Sequence, residues 1–304
     1  MSNPLRAGVI GAGVFGGYHA GKYAGLSGVT LTAVLDPHPE RAEALAARHG
    51  AEAFHEAEDF LAAVDLVSIT SPADSHVHWA LAALKSGKAV YVEKPLATDP
   101  AGADAIVGEA SRRGLIAACG FLERAALRAS GLLSVPEKPL WLEALRRGTA
   151  SPRNLDVSVV LDLMIHDLDL ALALARGAPF AVEAEGCPVR HELIDEAQAE
   201  VTFDDGFTAR FAASRVAEAP ERRLTIVYPS GEVAIDLLAG TLTGPPSFDL
   251  NPRFGETPAG ADRLGASLEA FIDALRGHGA PLADARDGAR ALDLALAVEQ
   301  AVGA

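Results

Sequence analysis

Leu5-Arg6-Ala7-Gly8-Val9-Ile10-Gly11-Ala12-Gly13-Val14-Phe15-Gly16 decides the fold. Leu5–Ile10 is short, apolar and β-rich, and Val14–Ala24 reads as a helix. Between them the glycines fit G-x-G-x-x-G in the setting where the pattern has a mechanism, directly after a strand and opening a helix. Gly11 permits the sharp turn, Gly13 lets a pyrophosphate approach the backbone, and Gly16 allows close helix–strand packing. Phosphates there would meet free N–H groups and the positive end of the helix dipole. Gly11, Gly13, Val14, Phe15 and Gly16 are therefore candidate dinucleotide-binding residues.

Outward from this loop the pattern alternates. Val29–Leu35, Leu66–Thr70, Ala89–Val92 and Leu115–Gly120 read as strands. Pro39–His49, Asp74–Ser86 and Asp99–Arg113 read as helices. Alternation of this kind predicts a doubly wound parallel sheet wrapped by helices, an α/β Rossmann domain over residues 1–119. After Gly120 the rhythm changes. Trp141–Arg147 reads as a strand and Val159–Ala175 as a long helix. Ala197–Phe203 and Phe207–Val216 flank Asp204-Asp205-Gly206, and Leu224–Tyr228 and Glu232–Leu237 flank Pro229-Ser230-Gly231, so both pairs read as hairpins. Thr241–Gly260 reads as a loop, and Leu264–Arg276 and Asp284–Ala301 as closing helices. Residues 120–304 thus form a second, α+β domain.

The net charge of −15 argues against nucleic acid and anionic membranes as partners. The acidity is concentrated in the second part: residues 1–119 hold 9 basic and 13 acidic side chains, the remainder 17 and 28. An anionic ligand would need a local arginine cluster there. Cys119 and Cys187 form no disulfide framework or metal pattern and read as small buried hydrophobes; no metal set is seen. No signal layout or membrane-length apolar run is present, so a cytoplasmic protein is expected.

Asp36 ends the second strand, 20 residues beyond Gly16. A carboxylate there can accept hydrogen bonds from adenosine ribose hydroxyls and repels a 2′-phosphate, which favours NAD over NADP. The alternative is a turn residue before Pro37. Arg41 lies close enough to soften the preference. Ser71-Pro72 follows the third strand at its carboxyl end, where ligands bind in such sheets. His76, on the next helix, is assigned a surface or packing role.

Glu93-Lys94-Pro95 follows the fourth strand at the same edge. With Gly11–Gly16 and Asp162-Leu163-Met164-Ile165-His166-Asp167, it makes the chain resemble the glucose–fructose oxidoreductase / inositol dehydrogenase (Gfo/Idh/MocA) family over essentially its whole length. The resemblance implies a second domain built on a large open, mostly antiparallel sheet whose exposed face pairs subunits into a homodimer or homotetramer. It also implies that Glu93 lies near the nicotinamide ribose, that Lys94 touches the reacting hydroxyl, and that the Lys94–Pro95 bond is cis.

The residues themselves are consistent with this chemistry. Lys94 is one of only five lysines, and the one beside the expected cofactor. There it could steady a substrate oxygen during hydride transfer. Asp162 and His166 are spaced i, i+4 in an apolar helix, so they share a face and need partners. They read either as a catalytic pair, with His166 as base and Asp162 orienting it or binding substrate hydroxyls, or as a buried structural pair. The resemblance favours catalysis.

Gly120-Phe121-Leu122-Glu123-Arg124 departs from the sugar dehydrogenases that carry Asn-Arg after this strand. With Glu143, Arg146, Arg153 and the stretch Asp156–Asp169, it is more similar to the UDP-N-acetylglucosamine 3-dehydrogenase branch. Arg124, Arg146 and Arg153 could then meet a diphosphate, or make salt bridges in an acid-rich domain. The expected activity is hydride transfer between NAD and a secondary hydroxyl of a sugar or nucleotide sugar. The alternatives are a free-sugar or inositol dehydrogenase and a non-catalytic dinucleotide sensor.

Overall fold

Strand β1 (Leu5–Ile10) ends at Gly11, whose φ of 97° suits glycine alone, and the chain turns at once into helix α1 (Val14–Gly25). The computed structural model describes residues 3–151 and 157–303. The chain divides into two compact units, Met1–Phe121 with Leu264–Ala289, and Leu122–Arg263 with Arg290–Ala304.

In the first unit, β2 (Val29–Leu35), β3 (Glu52–Phe54), β4 (Leu66–Ile69), β5 (Ala89–Val92) and β6 (Ala117–Cys119) join β1 in a parallel sheet. The order β3-β2-β1-β4-β5-β6 is that of a dinucleotide-binding sheet and reverses between β1 and β4. Helix α1 and the helices α2 (Pro39–His49), α3 (Ala57–Ala62), α4 (His76–Lys85) and α5 (Pro100–Arg113) are the crossovers. Pro100 at the first position of α5, Asp99 accepting from the Gly102 N–H at 2.9 Å, and Gly114 at φ 64° explain its limits.

Helix α9 (Arg263–Leu275) belongs to this unit from Leu264 onward because its apolar stripe completes the core. Leu268, Phe271 and Ile272 are buried with Tyr91, Ala118, Tyr23 and Leu31. Each such side chain contributes about 1.5–3 kcal/mol on leaving water. Tyr91 Oη also shares a 2.8 Å hydrogen bond with Ser267 Oγ, and Arg276 donates to the Gly28 carbonyl at 3.0 Å.

The second unit holds α6 (Glu123–Ser130), β7 (Trp141–Thr149), α7 (Ile165–Leu174), β8 (Pro179–Cys187), β9 (Glu196–Phe203), β10 (Thr208–Ala217), β11 (Glu221–Tyr228), β12 (Gly231–Asp236), β13 (Thr241–Thr243) and α8 (Pro258–Ala261). The last helix, α10 (Ala285–Val302), gives its first residues to the first unit and the rest to the second. The sheet runs β13-β12-β11-β7-β10-β9-β8, antiparallel except for the β7–β10 pair. Register places Ala199, Phe211, Ala144, Leu224, Ile235 and Leu242 in one row across it, all buried. The opposite face carries Glu200, Arg210, Glu143 and Thr225 in register, a polar, open surface.

Both expected hairpins form. Six elements have no counterpart in the sequence reading: β3, α3, α6, β8, β13 and α8. Four of them, β3, α3, β13 and α8, are only three to six residues long, too short to show a period. Thr241–Gly260, expected as a loop, contains β13 and α8. Cys187 is exposed rather than buried, because it ends β8 at the sheet edge; Cys119 is buried as expected. Among the described residues no helix is long and apolar enough to cross a membrane.

Candidate functional site: the carboxyl edge of the parallel sheet and the Asp162–His166 segment

The glycine loop sits where the strand order reverses. A Cβ on Gly11 would lie 2.6 Å from the Ser71 nitrogen, and one on Gly16 would lie 1.8 Å from the Gly11 oxygen. Both glycines are thus required by close approach. A Cβ on Gly13 would meet nothing within 4 Å, so the loop leaves open space above Gly13. Val14 and Phe15 are exposed beside it. Space over the second glycine, next to a helix start, fits a dinucleotide pyrophosphate.

Asp36 is buried at the end of β2. Its Oδ2 accepts from the Ala12 N–H at 2.7 Å, and its Oδ1 accepts from the His38 N–H at 2.9 Å. It therefore serves the turn before Pro37 and reaches the glycine loop as well. Arg41 is exposed on the first turn of α2. Ser71 Oγ lies 2.6 Å from Ser75 Oγ, and Pro72 leads into a 3-10 turn at Ala73–Ser75. His76 takes the packing role rather than the surface one: it is buried, with Nδ1 2.8 Å from the Pro95 carbonyl and Nε2 2.9 Å from the Ser71 carbonyl. The ring ties the Ser71-Pro72 loop to the Lys94-Pro95 turn. Burial pushes its pKa down, and the two carbonyls only partly oppose this.

The Lys94–Pro95 bond is cis. Glu93 is buried and Lys94 half-buried. The Glu93 N–H donates to the Ile69 carbonyl at 2.9 Å, and Oε1 lies 2.9 Å from His19 Nε2. A Cβ on Gly120 would come 2.8 Å from Oε2, so the residue after β6 must be small to admit this carboxylate.

In the second unit, Val160–Met164 forms a π-helical turn, with the Ile165 N–H reaching the Val160 carbonyl, before α7 begins. The expected single α-helix over Val159–Ala175 is corrected accordingly, and the i, i+4 spacing of Asp162 and His166 spans the change of pitch. Nor is the segment buried all round: Val159, Val160, Met164, Ile165 and Leu168 are buried, whereas Asp162 and His166 are both half-buried. Ser158 Oγ accepts from the N–H groups of Val160 at 3.1 Å and Leu161 at 3.3 Å and donates to Glu299. Asp195 anchors the approach. Fully buried, its Oδ2 accepts from the N–H groups of Val189, Arg190 and His191, and its Oδ1 from Arg215 Nε at 2.6 Å. Arg215 in turn donates to the Val157 carbonyl at 2.6 Å. Burial penalises the Asp195 carboxylate, but these donors outweigh it and hold its pKa far below the usual range.

Two of the arginines, Arg124 and Arg146, form the salt bridges that stood as the alternative to a diphosphate site. Arg124 engages Asp169 as a fork, Nε at 2.9 Å from Oδ2 and a terminal nitrogen at 2.7 Å from Oδ1. Arg146, fully buried, engages Asp167 in the same way at 2.9 and 2.7 Å and also donates to Glu123 at 3.2 Å. Glu123 further receives Arg222 at 3.3 Å and Arg263. Burial raises the Glu123 pKa, but the three guanidiniums outweigh it and leave it low; Asp167 stays raised by burial. Arg124 and Arg146 are therefore salt-bridge residues, their charge met by carboxylates. Arg153, the third arginine of that expectation, lies outside the described residues.

Sequence reasoning passed over His19 and Asp195. For His19 a signal existed. Gly16, His19, Ala20 and Tyr23 are the buried positions of α1, spaced as one helix face, and a histidine in that stripe must find partners.

Residues 5–121 match the family model described as an oxidoreductase family with an NAD-binding Rossmann fold, and residues 143–234 match the GFO/IDH/MocA C-terminal domain. The chain is 37% identical to UDP-N-acetylglucosamine 3-dehydrogenase from Acidithiobacillus ferrooxidans, over 99% of this chain and 98% of that one. It is 27% identical to scyllo-inositol 2-dehydrogenase (NAD(+)) from Bacillus subtilis, over 78% and 75% of the two chains. A solved structure of the Acidithiobacillus enzyme superposes with a TM-score of 0.90 over 99% of this chain and 98% of that one. The WlbA dehydrogenase of Bordetella pertussis in complex with NADH and UDP-GlcNAcA shares the fold, with a TM-score of 0.89 at 20% identity over 100% and 96%. Read with the strand order and the glycine loop, these matches place the chain in the Gfo/Idh/MocA oxidoreductase family, with NAD as the dinucleotide of its Rossmann fold.

Proposed function

We propose that this NAD-dependent dehydrogenase oxidises a secondary hydroxyl of a nucleotide sugar, the 3-hydroxyl of UDP-N-acetylglucosamine first among them. The observation that carries the substrate is the 37% identity, across 99% of the chain, to an enzyme named for that reaction. The Glu123-Arg124 pair set this branch apart in the sequence. In the second unit its two members go to different partners, Glu123 to Arg146, which also holds Asp167, and Arg124 to Asp169.

Gly11, Gly13, Val14, Phe15 and Gly16 hold the pyrophosphate, and Asp36 the adenosine ribose, with Arg41, Ser71 and Pro72 at the rim. Glu93 accepts from the nicotinamide ribose. Bound NAD supplies the hydride acceptor. Lys94 donates a hydrogen bond to the reacting hydroxyl oxygen and steadies the negative charge that builds on it. His166 takes the hydroxyl proton as the carbon–oxygen double bond forms, and Asp162 orients His166 or holds a neighbouring substrate hydroxyl. Arg124 and Arg146 are left out of substrate binding, since their guanidiniums are matched by Asp169, Asp167 and Glu123. The diphosphate is then left to Arg153. The open polar face of the seven-stranded sheet pairs subunits into a homodimer or homotetramer.

The test is NADH absorbance on adding UDP-N-acetylglucosamine, free glucose or myo-inositol to protein and NAD. Growth with the nucleotide sugar alone is expected. Growth with a free polyol alone would move the substrate to the inositol dehydrogenases, and NAD binding with no reduction on any of them would support a sensor.

A further inference from the structure

Four buried groups form a chain across the first unit. Tyr23 Oη lies 2.7 Å from Ser68 Oγ, Ser68 Oγ lies 2.9 Å from His19 Nδ1, and His19 Nε2 lies 2.9 Å from Glu93 Oε1. Tyr23, Ser68 and His19 are wholly shielded from solvent. Helix α1 contributes Tyr23 and His19, β4 contributes Ser68, and the residue after β5 is Glu93. The chain ends one residue before Lys94.

For a neutral imidazole at His19, hydrogen-bond direction follows from valence. A tyrosine O–H buried to this depth needs an acceptor, and Ser68 Oγ is its partner. Ser68 must then spend its own proton elsewhere, and His19 Nδ1 is in reach as acceptor. That leaves the imidazole N–H on Nε2, facing a carboxylate oxygen that can only accept. Every donor then has one acceptor, in one direction: Tyr23 to Ser68, Ser68 to His19, His19 to Glu93. The opposite tautomer would put a lone pair of Nε2 against a lone pair of Glu93.

We propose that His19 is a positioning residue for Glu93. The hydroxyl relay fixes His19 with its proton on Nε2, and that N–H, with the room left by Gly120, fixes how the Glu93 carboxylate meets the cofactor's ribose hydroxyls. This rests on the reading above that Glu93 accepts from the nicotinamide ribose. Without the bond, the carboxylate loses its buried donor and its fixed direction. The cofactor then has to order the acceptor as it binds.

The experiment is a double-mutant cycle read by NADH affinity, from fluorescence titration, in His19→Leu, His19→Gln, Glu93→Gln and His19→Leu/Glu93→Gln. His19→Leu should weaken NADH binding by roughly tenfold, the scale of a hydrogen bond to a charged group. His19→Gln keeps an N–H donor near the position of Nε2 and should restore most of that loss. In the Glu93→Gln background, where only an uncharged amide oxygen is left to accept from Nε2, His19→Leu should cost clearly less than it does beside Glu93. Independent, multiplying effects would mean that His19 only packs α1 against the sheet, and would overturn the inference. If Glu93→Gln alone leaves NADH affinity unchanged, Glu93 is not at the ribose and both readings fall. If His19→Leu weakens nothing while Glu93→Gln does, only the positioning role falls. Nitrogen NMR of the unaltered protein keeps the idea testable should His19→Leu not fold. It should show a protonated Nε2 and a bare Nδ1 on His19, and the reverse assignment would overturn the relay.

Discussion

Lys94 and Arg146 show how differently two cations are used in one chain. Lys94 is half-buried at the carboxyl edge of the parallel sheet, while Arg146 lies wholly inside the second unit between Asp167 and Glu123. Replacing Lys94 by Met keeps the stem and removes the donor. Turnover should fall by about 10²–10³, as for other lost oxyanion donors, with NADH affinity nearly unchanged. Unimpaired turnover would remove Lys94 from the chemistry. Arg146→Met should act on stability instead. It leaves two buried carboxylates without their guanidinium, a loss of about 3–5 kcal/mol in chemical denaturation. A neutral outcome there would mean that Arg222 and Arg263 suffice for Glu123. Sequence alone could not separate these roles: Arg124 and Arg146 read equally well as phosphate ligands or salt bridges. Their partners, Asp169 and Asp167, lie 45 and 21 residues away, and only the fold brings them together.

Elements were legible in proportion to their length and their local signals. β1, β2, α2 and β5 have the limits their residues predict, since each is bounded by glycine, proline or a change of period. The candidate cofactor residues were legible for the same reason: the glycine loop is a local device. Edge strands β8 and β13 escaped. Much of β8 is exposed, so it lacks the alternation that burial imposes. The π-helical turn at Val160–Met164 was also out of reach, because an extra residue in a turn leaves an apolar run looking the same. That turn is held at its start by Ser158, so Ser158→Ala should cost about 1 kcal/mol, the worth of a typical N-cap. Thermal melting would measure it. A larger loss would show that the bond to Glu299 matters as well, and none would show that the Asp195–Arg215 anchor holds the segment alone.

At the scale of the whole molecule, the two units should lose stability at different pH. His76 in the first unit has a depressed pKa, so its contribution is complete above the ordinary histidine value of about 6.5 and declines as pH falls below it. Asp195 and Glu123 in the second unit are depressed carboxylates, whose contributions are complete above roughly pH 4 and decline only below that. The chain has two tryptophans, Trp79 in the first unit and Trp141 in the second. Trp141→Phe and Trp79→Phe therefore give a fluorescence reporter for each. Urea midpoints followed by Trp79 should fall first on acidification, and those followed by Trp141 later; a single shared pH profile would contradict the assignment. The claim on which the rest depends is that a hydride leaves the sugar for NAD. Its most direct test is to supply UDP-N-acetylglucosamine carrying deuterium on the carbon of its 3-hydroxyl and to weigh the reduced cofactor by mass spectrometry. Singly deuterated NADH beside a 3-keto nucleotide sugar is expected. Unlabelled NADH would move the reaction to another carbon, and no reduced cofactor at all would contradict the proposed oxidation of this nucleotide sugar.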